Sequence, residues 1–245
     1  MHSFPGQWLS RVFVLLLGIQ ADAFAATPPW TTDAIQLVAK YQRNPLRAAR
    51  SFAYLHVAMR DALVAAERAG VPAPVRSLAA DAAAARMLDF LYPQEPAGRF
   101  IALGEVARAG APGDAALKDQ AWRIGEATAR ALIERARVDG AELVWNPADR
   151  PPIKPGGWRP APPLNAYNPV EPLAPRWRTW VLARPDAFAV PPPVAYDTDA
   201  FWQEAREVLA VSRRLTPEQK RIAETWNLDR GTITSAGVWN RYAGG

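Results

Sequence analysis

Acid–base chemistry in this chain has few places to start. The 245-residue sequence holds two histidines, His2 and His56, and no cysteine. Disulfides, thiolate nucleophiles and zinc or iron–sulfur sites built on cysteine are therefore excluded. A histidine acting as general base needs a pocket and a carboxylate to orient it. Asp61 lies five residues after His56, roughly 500° around a helix, and so leaves its face, whereas Arg60 at i+4 shares it. The helical face of His56 also carries Phe52, Met59 and Leu63, which reads as a core histidine. Arg50, Tyr54 and Asp61 then form a polar cluster on a neighbouring face. The sequence has no D-x-D-x-D-G loop, no E-x-x-H pair, no G-x-S-x-G elbow and no G-x-x-x-x-G-K phosphate loop. No residue is accordingly assigned a catalytic, cofactor-binding or metal-binding role.

Charge is the next feature that could carry function. Lysine and arginine number 29 against 24 acids, for a net charge of +5 and a pI near 9.8. A basic face attracts nucleic acid or anionic lipid. Here the basic residues are spread along the chain beside acids, as in Glu134/Arg135/Arg137 and Arg206/Glu207, with no run of five. No nucleic-acid partner is expected.

The N-terminus reads as an export signal. Arg11 precedes the apolar run of residues 12–19, and Ala23-Phe24-Ala25 matches an A-x-A cleavage site before Ala26. That run is far shorter than the roughly 20 residues that span a bilayer, and no later stretch approaches that length. Residues 1–25 are thus predicted to be a signal peptide, residues 26–245 a single helical domain without a membrane span, and the location periplasmic or secreted.

The elements that must position any site are helical. Residues 32–68 have helical periodicity broken at Asn44-Pro45, because a residue before proline is pushed out of the α region. A first helix carries Ile35, Val38 and Tyr41; a second starts at Pro45 with a stripe of Leu46, Ala49, Phe52, His56, Met59 and Leu63. An alanine-rich helix is predicted from a Ser77 cap to Leu91, a shorter one over 98–109, and a long one from an Asp114 cap to about Val138. The long helix has a stripe of Leu117, Ala121, Ile124, Thr128 and Leu132, with Gly125 and Ala129 as small contact points. Between Pro147 and Pro193 lie 14 of the 24 prolines, a density that no α-helix survives. Trp158, Tyr167, Trp177, Trp180 and Phe188 are costly to expose, so residues 145–195 are read as an extended wrap pinned by its aromatics. Two short helices follow, one capped by Asp199 and one opened by the capping box Thr216-Pro217-Glu218-Gln219. Almost no alternating pattern occurs, which gives an all-α class, a partial helical bundle with a long proline- and tryptophan-rich wrapping segment.

Three segments, in this order, resemble the N-terminal half of bacterial vanadium-dependent haloperoxidases, relatives of the type 2 phosphatidic acid phosphatases. They are Asn44-Pro45 leading into residues 48–62; Gly156-Gly157-Trp158-Arg159-Pro160 with Pro162-Pro163; and residues 215–226, with Trp239-Asn240 after them. The resemblance implies a helical bundle with a packed proline-rich wrap, and peroxidase or phosphatase activity at a vanadate or phosphate site in a C-terminal half. There arginines, lysine and backbone N–H groups neutralise an oxyanion, one histidine bonds metal or phosphorus, and a second moves protons. The family elements K-x6-R-P, P-S-G-H and S-R-x5-H-x3-D are absent here. Lys154 and Arg159-Pro160 are separated by four residues rather than six, and no histidine follows Ser212-Arg213. The chain is therefore expected to be inactive alone, with vanadate implied only for a complete enzyme and a C-terminal catalytic half or second subunit as partner. The alternative is a periplasmic helical protein that binds a ligand or partner.

Overall fold

A computed structural model of the chain describes residues 30–160, 168–188 and 190–226. The expected signal peptide, Tyr167 and Trp239-Asn240 lie outside the described residues. Among those residues the protein is all-α, with seven helices and no strand. They are α1 (Trp30–Lys40), α2 (Pro45–Arg68), α3 (Ala73–Leu91), α4 (Arg99–Gly110), α5 (Ala115–Arg137), α6 (Asp199–Ser212) and α7 (Pro217–Thr225). Two 3-10 turns, Pro147–Asp149 and Ala174–Arg176, interrupt the proline-rich stretch.

The helix boundaries follow local chemistry. Pro45 opens α2, and Asn44 Oδ1 accepts the Arg47 N–H at 3.0 Å. Asp114 Oδ1 accepts the Leu117 N–H at 2.8 Å at the head of α5. The capping box of α7 closes both ways: Thr216 Oγ1 accepts the Gln219 N–H at 3.2 Å, and Gln219 Oε1 accepts the Thr216 N–H at 2.8 Å. Three expected starts are corrected. Helix α1 begins at Trp30, two residues early, and α3 at Ala73, where Pro74 falls in the first turn and needs no N–H partner. Ser77 is thus inside α3. Helix α6 is capped by Thr198, whose Oγ1 accepts the Phe201 N–H at 3.3 Å, and Asp199 is its first helical residue.

The chain divides into two compact units. Among the described residues the first comprises 30–37 and 49–134, the second 38–48 and 135–226. In the first unit, α3 is buried nearly all round: Leu78, Ala79, Ala80 and Ala82–Ala85 are inaccessible, as are Met87 and Leu88. A helix without a polar face belongs at the centre of its unit. The buried seam of α2 in this unit runs through Ser51, Phe52, Leu55, Ala58, Ala62 and Ala66, with Met59 and Leu63 half-buried and Ala49 exposed. That of α5 runs through Ala121, Trp122, Gly125 and Ala129. Both seams are turned by about one residue from the stripes that the larger side chains suggest. Alanine and glycine let helix axes approach closely, so the small residues face the neighbouring helix and the larger ones flank the contact. At the α3–α5 approach, a Cβ on Gly125 would stand 2.1 Å from the Ala79 carbonyl oxygen. At α4, a Cβ on Gly104 would stand 2.7 Å from the Trp122 ring.

In the second unit, residues 171–180 of the proline-rich stretch dock on the α1–α2 turn and on the end of α5. Glu171 accepts the Asn44 amide N–H at 2.8 Å and holds the Arg47 guanidinium through both carboxylate oxygens, one at 3.1 Å. Arg47 also donates to the Ala141 carbonyl at 2.9 Å and lies over the Trp177 ring, 5.7 Å from its centroid. Arg135 repeats the device, donating to the Thr179 carbonyl at 2.6 Å and stacking 4.1 Å from the Trp180 centroid. Phe188, in contrast, stands exposed and pins nothing.

Candidate functional site

The residues on which chemistry could have rested form no group that could hold a metal ion among the described residues. His56 is half-buried on α2, with Nε2 shielded from solvent. The Arg50 guanidinium lies 4.9 Å from the ring centroid of buried Tyr54. Asp61 accepts from the exposed Arg60 at 2.8 Å, an adjacent surface pair of little energetic weight. Lys154 and Arg159 are exposed, and the Lys154 carbonyl accepts the Gly157 N–H at 3.0 Å in a turn. Ser212 Oγ donates to the Leu209 carbonyl at 3.0 Å, an end-of-helix contact. Among the described residues no group of three or more His, Asp or Glu could hold a metal ion, and no helix is long and apolar enough to cross a membrane.

Two arrangements were not legible from motifs. The first is buried Asp81 on α3, 2% exposed, whose Oδ1 accepts the indole N–H of fully buried Trp30 at 2.9 Å. Burial pushes its carboxyl up to about 6, against the smaller opposing pull of the indole hydrogen bond. Asp33 and Asp89 are raised in the same direction by burial, opposed by Arg99 and by the Phe100 N–H with Arg86, respectively.

The second is a cleft of about 460 Å³ in the second unit, where the docked strap meets the end of α5. Gly140, at φ +92°, makes the approach feasible: a Cβ there would lie 3.1 Å from the Arg176 carbonyl oxygen, in a backbone region costly to other residues. The Asp139 carbonyl accepts the Arg178 N–H at 2.7 Å, which fixes the strap's register. Around Trp177 the strap is extended, so alternate side chains face opposite ways. Trp177 turns toward Arg47, while Arg176 and Arg178 line the cleft with Arg137. The one sequence signal was Glu171, the sole glutamate between Pro147 and Pro193.

Removing the Arg47 side chain is expected to loosen the strap, because it leaves partly buried Glu171 with only Asn44 as partner. Arg47→Ala should speed amide hydrogen exchange at Trp177 and Arg178 at least about tenfold, the equivalent of ~1.4 kcal/mol. Arg60→Ala, at an exposed pair, should leave those amides unchanged.

Comparison with protein-family models, with curated proteins and with solved structures finds no match to this chain. Its class is therefore set by its own geometry, an all-α protein with a clamped proline-rich strap and an arginine-lined cleft.

Proposed function

We propose that this chain is the exported, helical supporting half of a protein of the vanadium haloperoxidase and type 2 phosphatidic acid phosphatase kind. In this reading it is inactive by itself, and a further set of helices packs on it and brings the oxyanion-binding lysine, arginines and two histidines. The observation that carries it is the apolar surface of α6 and α7. Neither helix has a buried residue, and Trp202, Val208, Leu209, Val211, Ile222 and Trp226 are exposed. An amphipathic helix normally buries its apolar side chains against a neighbour, so their exposure on both helices fits a docking face. Helix α7 also carries the third family-like segment, residues 215–226. Cleavage after Ala25 would deliver this half to the periplasm or the exterior.

The mature chain, assayed with vanadate, peroxide and bromide and separately with a phosphate ester, should show no turnover, while an apolar-surface dye should bind it. Turnover abolished by His56→Ala would overturn the reading. A monomer that melts cooperatively and binds no dye would favour the periplasmic helical binding protein instead.

A further inference from the structure

The cleft beside α5 is lined by two segments, residues 137–143 and 176–178, and both carry arginine. Arg137 ends α5, and Arg176 and Arg178 come from the strap. Arg176 and Arg178 are exposed, and neither guanidinium makes an ion pair among the described residues. The two acids of the cleft are partly engaged: Asp139 is buried with Oδ1 accepting the Ala141 N–H at 3.0 Å, and Glu142 lies 3.9 Å from Arg47. Val138 and Leu143 add exposed apolar side chains to the same cleft.

We infer that this cleft binds a small monoanionic amphiphile, a carboxylate with a short aliphatic portion. Guanidinium forks match a carboxylate through paired hydrogen bonds, which a lysine-lined site would not provide. Three guanidinium groups against two carboxylates leave one net positive charge, which suits a monoanion better than a dianion such as phosphate. Val138 and Leu143 give the aliphatic portion a surface to cover, and the volume falls within the range of about 300–1,000 Å³ common for small-molecule sites. Strap and site are coupled, because two of the arginines belong to the strap that Arg47, Arg135 and the Asp139 carbonyl hold in place. The inference stands independently of any oxyanion site elsewhere.

The test is calorimetric titration of the full chain with octanoate, octylamine and inorganic phosphate. Octanoate should bind saturably, and Arg176→Gln/Arg178→Gln should weaken it at least tenfold with helix content unchanged. Arg184→Gln, at the exposed Arg184–Asp186 pair outside the cleft, should have no effect. If the double variant misfolds, Leu143→Glu serves in its place, since Leu143 is exposed and the new charge repels the ligand; the same tenfold weakening is expected. Absence of saturable octanoate binding, equal loss in Arg184→Gln, octylamine binding as tight as octanoate, or phosphate binding tighter than octanoate would each overturn the inference.

Discussion

Asp81→Asn is expected to stabilise the protein by up to about 3 kcal/mol at neutral pH and by almost nothing near pH 4. Asp81 sits at 2% exposure in the alanine-lined centre of α3, and its one described hydrogen bond comes from the Trp30 indole. A buried carboxylate supported by so little is held at a cost, and its carboxyl accordingly titrates at about 6 in place of 3.8. The folded chain therefore binds this proton more tightly than the unfolded chain. Stability from Asp81 is fully present below the unfolded value of 3.8, falls as pH rises through about 6, and is gone above it. Asp33 and Asp89 are shifted in the same direction, so their contributions fall with rising pH as well. Asparagine keeps an oxygen for the Trp30 N–H and carries no charge, which removes the penalty where the wild type is ionised. Denaturant unfolding at pH 4, 5.5 and 7.5 checks this, with the gap between variant and wild type widening as pH rises. A gap that does not change with pH, or a variant less stable at pH 7.5, would contradict the assignment.

Asp81 also shows where the sequence was opaque. A lone aspartate in an alanine run reads as one more solvated residue, since its burial depends on α3 being enclosed nearly all round, a tertiary fact without a local signal. What was legible was local chemistry: the break at Asn44-Pro45, the capping box at Thr216 and the all-α class each follow from backbone hydrogen bonding and proline geometry. The seams were misplaced for one physical reason. Periodicity weighted by side-chain size favours Met59 and Leu63 in α2, while the fully buried positions are Ala58, Ala62 and Ala66. The cleft was hidden for another reason. It forms from residues about 40 apart in sequence, joined by the strap, and its arginines look like any others in an arginine-rich chain until Trp177 and Glu171 are seen to set their direction.

Gly125→Ala should cost about 3 kcal/mol or more, although the same change in an isolated helix would be favourable by about 1 kcal/mol. The two effects oppose, and geometry decides between them. An added Cβ would lie 2.1 Å from the Ala79 carbonyl oxygen, 2.9 Å from its carbon and 2.8 Å from the Ala82 Cβ. Two of these three atoms are backbone of the buried helix α3, so no rotamer change relieves the contact and one helix must move away from the other. Moving α5 opens the seam that Ala121, Trp122 and Ala129 close, which adds lost packing to the clash. A loss of this size lowers the melting temperature by roughly 6–12 °C in a chain of this length. Gly110→Ala is the matched control, because a Cβ at the end of α4 meets nothing within 4 Å; it should leave stability unchanged or raise it slightly. Adding Ala82→Gly to Gly125→Ala removes only the 2.8 Å contact and leaves the carbonyl clash, so the double variant should recover little. Full recovery would mean that side-chain crowding, rather than the backbone approach of α3 and α5, makes position 125 a glycine.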